Sequence, residues 1–93
     1  MSETMQARKL AVSRAGHDKG TVYVVLREEA DRVFVADGKL KTISRPKAKN
    51  PRHLQMIIHL KEDLLTQMAG IREDSDIRRI LRQYRSYTER THE

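Results

Sequence analysis

The spacing of apolar residues changes about two-thirds of the way along this chain. From Lys9 to His59 many apolar side chains alternate with polar ones, which is the two-residue period of β-strands. After Leu60 they recur every three or four residues, which is the period of an amphipathic helix. The pattern predicts a flexible polar arm over residues 1–8, a β-domain over 9–60 and a helical extension over 61–93.

The β-domain is predicted to contain five short strands. The clearest is Thr21–Arg27, rich in β-branched residues, with Val22 facing one side and Tyr23 the other. Pro46 and Pro51 bracket a basic linker in which a regular helix cannot form. Short strands joined by tight turns favour a small barrel, because closure removes unpaired edges. The predicted strands are residues 9–14, which should be half-buried, and 21–27, 32–37, 40–44 and 53–59.

The last third predicts helices. Apolar positions at Leu60, Leu64, Leu65 and Met68 share a face until Gly70. Asp74–Asp76 offers side-chain oxygens that cap a helix N-terminus. The apolar stripe of the following helix comprises Ile77, Ile80, Leu81, Tyr84 and Tyr87. Its opposite sector comprises Arg78, Arg79, Arg82 and Arg85.

Charge is distributed unevenly along the chain. The net charge is +6; residues 1–60 contain 12 basic and 6 acidic side chains, whereas residues 61–93 contain 7 of each. The segment Lys39–His53 has no carboxylate at all. Such a block favours a polyanionic partner, although a merely solubilising surface has the same composition.

Several kinds of function lack the residues they need. The chain has no cysteine, which excludes disulfides and thiolate metal ligands and is typical of a reducing compartment. The four histidines are not spaced as zinc ligands, and no serine has an evident base partner. No apolar run reaches the length of a membrane span or signal peptide. We therefore expect a cytoplasmic protein that is not an enzyme and has no metal, cofactor, small-molecule substrate or membrane partner.

Three segments resemble a known family. They read VSRAGHDKGTVYVVL, DRVFVADGKL and SRPKAKNPRHLQ, in that order. Together they resemble the KOW RNA-binding proteins, in the branch related to the archaeal and eukaryotic ribosomal large-subunit proteins fourteen, six and twenty-seven. The resemblance covers about half of the chain, and the helical third is similar to the tail of small bacterial members. It implies an SH3-like barrel of about five strands with a helical tail, binding ribosomal or other structured RNA and neighbouring ribosomal proteins.

The candidate RNA contacts lie in two connections. A loop bounded by Gly16 and Gly20 brings backbone N–H groups near a phosphate, while Asp18 is expected to accept backbone N–H bonds within the turn. The prolines should keep the basic segment extended with its side chains outward. The predicted contacts are Arg14, Gly16, His17, Lys19, Gly20, Lys39, Lys41, Arg45, Lys47, Lys49, Arg52 and His53. A second contact would be Arg78, Arg79, Arg82 and Arg85.

The leading hypothesis is thus a non-catalytic, ribosome-associated RNA-binding protein. One alternative is an SH3-like protein-interaction module whose C-terminal apolar stripe binds a partner. Another is an accessory factor of transcription elongation, since KOW domains occur in such factors. Tyr23 and Phe34, on adjacent predicted strands, could stack on bases but are more often core residues in a small barrel.

Overall fold

Five antiparallel strands followed by two helices make up residues 9–57 and 59–90, the part of the chain that a computed structural model describes. The strands are β1 (Leu10–Ser13), β2 (Val22–Glu28), β3 (Val33–Ala36), β4 (Lys47–Lys49) and β5 (Leu54–Ile57), with a 3₁₀ turn at Pro51–His53. The helices are α1 (Glu62–Met68) and α2 (Asp74–Arg90). The expected order of strands followed by helices is confirmed, and the arm predicted at residues 1–8 lies outside the described residues.

The strands form one sheet in the order β4-β3-β2-β1-β5. Leu10 of β1 pairs with Val24 of β2 on one side and Ile57 of β5 on the other. The register of β2 against β3 shifts between Val25 and Arg27. Among the described residues, β4 and β5 are therefore the two edges of the hydrogen-bonded ladder.

The predicted fourth strand is wrong. Residues 40–44 form no strand, because side-chain carboxylates take backbone N–H groups that a ladder would need: Lys41 donates to Asp37, and Ile43 donates to Asp74. The strand lies further along, at Lys47–Lys49, paired with β3. The basic linker is thus partly a strand and partly a 3₁₀ turn capped by the Asn50 side chain.

The sheet buries both of its faces. One face packs against the two helices in a core of Leu10, Val24, Ala36, Leu64, Met68, Ile71, Ile77, Ile80 and Leu81. The other contributes to a second core of Ala11, Tyr23, Val25, Val33, Val35 and Leu54. The predicted alternation along β2 is confirmed, whereas the expectation that the first strand is half-buried is wrong, since Leu10 and Ala11 are both fully buried.

Helix α2 begins where the sequence predicts, but with a different capping arrangement. Asp76 accepts the backbone N–H groups of Arg72 and Glu73, and these bonds hold the pKa of its carboxyl below the usual range. Asp74 instead accepts the N–H of Ile43, 2.8 Å away, and so ties the helix to the segment after β3. The predicted apolar stripe faces the sheet. No helix in the described ranges is long and apolar enough to cross a membrane.

Candidate nucleic-acid interface

Three parts of the fold meet around a groove of about 460 Å³. They are the end of the loop over residues 14–20, which we call the glycine loop, the turn over residues 37–41, which we call the Asp37 turn, and the outer face of α2. The groove is lined by Gly20, Thr21, Val22, Asp37, Lys39, Arg78, Leu81, Arg82 and Arg85. The groove brings together residues that the sequence assigned to two separate RNA contacts.

The arginines of α2 divide between two sides of the helix. Arg78, Arg82 and Arg85 are spaced i, i+4 and i+7, so they share one sector, and all three line the groove. Arg79 points elsewhere: its guanidinium lies 3.2 Å from an oxygen of Asp76 and 3.2 Å from Oε1 of Gln67 on α1. Three of the four residues of the second predicted contact therefore share one surface, and Arg79 does not.

Close backbone packing fixes the wall between α2 and the Asp37 turn. Arg78 donates from its guanidinium to the carbonyl of Gly38 at 2.6 Å. Gly38 has a φ of 79°, and a Cβ there would lie 2.6 Å from the carbonyl oxygen of Asp74. Only glycine allows both this backbone conformation and this approach. The sequence gives no sign that a helix packs on this turn.

The groove holds four cationic side chains and one carboxylate. One oxygen of the carboxylate, Asp37 Oδ1, already accepts the backbone N–H groups of Lys39 and Lys41. Lys39, Arg82 and Arg85 are exposed, and within residues 9–57 and 59–88 no carboxylate forms an ion pair with them. These charges are thus available to an anionic ligand.

The glycine loop satisfies part of its own backbone. Gly16 and Gly20 have φ values of 89° and 94°. The N–H of Lys19 donates to the carbonyl of Gly16 at 3.2 Å, and the N–H of Gly20 donates to the carbonyl of Ser13 at 2.8 Å. These two N–H groups are not free to hold a phosphate, so the expected backbone cradle is wrong for Lys19 and Gly20. The side chains of His17 and Lys19 are exposed.

Asp18 is the centre of a partly buried polar cluster. Its carboxylate accepts hydrogen bonds from the Tyr23 hydroxyl at 2.6 Å, the Ser13 hydroxyl at 2.9 Å and Lys49 Nζ at 3.0 Å. Burial by itself would raise the pKa of the Asp18 carboxyl, but these hydrogen bonds outweigh it and hold that pKa well below its usual range. The expectation that Asp18 accepts backbone N–H bonds is wrong, since its donors are side chains.

The structure corrects the prediction that Lys49 contacts RNA. The residue is 8% exposed, and its Nζ donates to Asp18 and to the Ser13 hydroxyl at 2.9 Å. An ammonium group held in this way cannot reach a phosphate, so its assignment as an outward-facing contact is wrong. Tyr23 is likewise buried, at 2% exposure, and is a core residue rather than a platform for bases. Phe34 is partly covered by the guanidinium of Arg27, 4.0 Å from the ring centre.

The remaining predicted contacts lie outside the groove. Arg14 donates its N–H to the carbonyl of His53 at 2.8 Å, so these two residues are neighbours, with Arg52 next along the chain. All three are exposed and form a second basic group on the β1–β5 side. Lys41 is the last residue of the Asp37 turn, Arg45 is exposed in the next bend, and Lys47 lies on the edge strand β4. None of these six lines the groove.

Sequence reasoning missed the uncharged lining residues. Thr21, Val22 and Leu81 line the groove beside the arginines, and the sequence showed them only as strand or stripe positions. The spacing of Arg78, Arg82 and Arg85 was the one available signal that a helix presents a continuous cationic sector. In the part of the chain that the structure describes, no group of three or more His, Asp or Glu side chains is placed to hold a metal ion.

Comparison of the chain with protein-family models finds no matching family, and comparison with curated proteins finds no match. The resemblance to KOW proteins therefore stays an expectation. The groove, the cationic side chains that line it and the packing that shapes it are the observations from which function is inferred.

Proposed function

We propose that this protein is a non-catalytic RNA-binding protein that acts at the ribosome or on its RNA, with the groove as its principal contact. The observation that carries the proposal is the convergence on one concave surface of Lys39, Arg82 and Arg85, none of which forms an ion pair with a carboxylate of residues 9–57 or 59–88. Guanidinium and ammonium groups bind phosphate through charge-assisted hydrogen bonds. Arg14, Arg52 and His53 would extend the contact along a longer RNA.

The same proposal includes an SH3-like barrel of the KOW type. Lys49 on β4 reaches Ser13 on β1, although two strands separate them in the ladder. In a flat sheet these strands would lie roughly 14 Å apart, so the contact supports a strongly curled sheet. Leu54 of β5 shares a core with Val33 and Val35 of β3, which supports the same curvature from the other edge.

The protein-interaction alternative is disfavoured by packing. It requires the apolar stripe of α2 to be open to a partner, yet Ile77 and Ile80 are 0% exposed and Leu81 is 5% exposed. These side chains fill the core beneath the sheet. Binding a partner through them would require α2 to detach, with loss of that core.

Fluorescence anisotropy with a labelled, structured RNA tests the proposal. Because each phosphate contact releases counterions, the slope of log affinity against log salt should fall in magnitude by about 0.7–0.9 for each contact removed. Arg82→Gln together with Arg85→Gln should therefore flatten the slope by about 1.4–1.8. The matched control is Arg32→Gln, because Arg32 is exposed in the β2–β3 connection, at the opposite end of β2 from the groove.

Two results would contradict RNA binding by the groove. One is an affinity that does not change with salt in the native chain. The other is a slope flattened by about 0.7–0.9 in Arg32→Gln, half the change expected for the double variant, which would mean that each positive charge has the same effect wherever it lies.

A further inference from the structure

The groove is chemically more varied than a surface that grips only phosphates. Beside its cations it has an apolar floor, formed by half-buried Val22 and by the 5% of Leu81 that stays exposed at the edge of the core. It also holds the Asp37 carboxylate, whose Oδ2 accepts no hydrogen bond from the described residues, in contrast to Oδ1. A bare sugar-phosphate chain offers nothing to an apolar floor, whereas a nucleotide combines a flat base, hydroxyl or N–H donors and an anion.

The size of the groove also favours a single nucleotide over an RNA duplex as its ligand. Its volume of about 460 Å³ falls in the range of roughly 300–1,000 Å³ that accommodates compact ligands. In an A-form duplex the bases are stacked and face inward, so a duplex could meet only the arginines at the rim. An unpaired nucleotide can be splayed out and enter.

Arginine suits such a ligand better than lysine would. A guanidinium plane stacks on a base and still donates hydrogen bonds at its edge to phosphate. Arg82 and Arg85 are exposed and line the groove, so their guanidinium planes can meet a base above the apolar floor. Arg78 donates one N–H group to the carbonyl of Gly38, and its guanidinium has further N–H donors for a ligand.

We propose that the groove receives an unpaired nucleotide of the bound RNA, and this inference rests on the proposed RNA-binding function. The base lies against Val22 and Leu81 and stacks on an arginine of α2. Lys39 and the arginines hold the adjoining phosphates. Asp37 accepts a hydrogen bond from a ribose hydroxyl or a base N–H group.

The experiment compares two RNAs on the full chain at one salt concentration. One is a hairpin with an unpaired loop, and the other is a fully paired duplex with the same number of phosphates. Because stacking of one base is worth a large factor in affinity, the hairpin should bind at least about 10-fold more tightly than the duplex. 2-Aminopurine placed in the loop should change its fluorescence on binding, as its stacking partner changes.

Two variants connect that preference to the groove. Arg82→Lys with Arg85→Lys keeps the positive charge but removes the planar groups, so the ratio of hairpin to duplex affinity should fall to about 2-fold or less. Val22→Thr makes the floor polar at nearly constant volume and should lower the same ratio. Val12→Thr is its matched control, because Val12 is the cross-strand partner of Val22 but does not line the groove. Circular dichroism verifies that each variant is folded.

The outcomes separate this inference from the function beneath it. Equal binding of hairpin and duplex, with the expected salt slope, would overturn the nucleotide site and leave RNA binding standing. Binding of neither RNA would overturn both. A mononucleotide that binds as tightly as the hairpin would overturn the inference in favour of a free nucleotide ligand. A hairpin preference that survives in Arg82→Lys with Arg85→Lys and in Val22→Thr would place the unpaired base elsewhere on the protein.

Discussion

At the scale of single residues, Lys49 and Asp18 show why a run of basic residues is a poor guide to which of them meets solvent. The side chain of Lys49 is 6% exposed and that of Asp18 is 19% exposed, and they join β4 to the glycine loop. In β4, Lys49 pairs with Val33 and Lys47 pairs with Val35, so both lysines share the face of the second core. The alternation of Lys47, Ala48 and Lys49 was visible in the sequence. The position of Asp18 opposite that strand was not, because it depends on the curl of the sheet.

Replacing Lys49 with methionine should destabilise the protein by about 3 kcal/mol, because it leaves the partly buried Asp18 carboxylate without its cation. The remaining donors to that carboxylate, Tyr23 and Ser13, keep the loss near the lower end of the range for broken buried pairs. This loss is measured as the difference in the free energy of unfolding between the native chain and the variant in urea. Lys47→Met on the same strand is the control and should cost about 0.5 kcal/mol or less. Equal stability of the two variants would show that the Asp18–Lys49 pair adds nothing to the fold.

The lowered pKa of Asp18 makes a prediction about acid stability. A carboxyl whose pKa is lower in the folded state than in the unfolded chain stabilises the fold above its unfolded value of about 4. That contribution is lost progressively as the pH falls below this value towards the folded pKa. We therefore expect the free energy of unfolding to decline below about pH 4, as measured by urea titration at a series of pH values.

Asp18→Asn isolates this contribution, because Asp76 also has a lowered pKa and titrates in the same range. The amide keeps an oxygen acceptor for Tyr23 but has no charge to lose. Stability of this variant should be lower at neutral pH and should decline less steeply in acid. A native chain and variant with parallel pH profiles would rule out Asp18 as a source of acid sensitivity.

At the scale of elements, regular periodicity predicted well and irregular packing did not. The strand β2 was evident because its apolar positions repeat every second residue, and the helix α2 because its apolar positions repeat every three or four residues over several turns. The fourth strand was misplaced because Ile43 looked like a strand residue, whereas its N–H belongs to Asp74, 31 residues away. No local pattern reports that the segment after β3 gives its hydrogen bonds to a distant helix.

Gly38→Ala should disrupt the contact between the Asp37 turn and α2. A methyl group there would lie 2.6 Å from the Asp74 carbonyl oxygen, and the φ of 79° is unfavourable for alanine, so we expect a loss of about 2–3 kcal/mol. On the proposed function, RNA affinity should fall as well, since the turn and the helix both line the groove. Urea unfolding and anisotropy measure the two effects.

Gly20→Ala is the matched control, because it also has a positive φ, of 94°, but a Cβ there has no atom within 4 Å. This substitution should lower the free energy of unfolding only by the backbone strain, which is about 1 kcal/mol. If both substitutions cost the same, close packing of Gly38 against α2 does not hold the groove together.

At the scale of the whole molecule, the sequence predicted the parts but not how they combine. It separated a β-domain from a helical extension and treated the arginines of the extension as a second contact. The structure places Gly20, Lys39 and Arg82 around one groove, although they are far apart along the chain. Periodicity identifies which side of α2 is polar, but the orientation of that side relative to the glycine loop follows from packing of its apolar stripe on β1–β3. Charge patterns alone therefore could not join the two contacts.

That same packing makes α2 necessary for the fold as well as for the proposed RNA binding. A chain ending at Glu73 would expose the face of the sheet that carries Leu10 and Val24, and it would remove Ile77 and Ile80 from the core. Burial of large aliphatic side chains contributes about 1.5–3 kcal/mol each, which is a large share of the stability of a domain of this size. We expect the chain ending at Glu73 to lose both its cooperative unfolding transition in circular dichroism and its affinity for RNA. A chain ending at Thr88, which retains the whole apolar stripe, should keep both. If the chain ending at Glu73 instead unfolds cooperatively and binds RNA with unchanged affinity, α2 is an appendage and the RNA site lies on the sheet and the glycine loop alone.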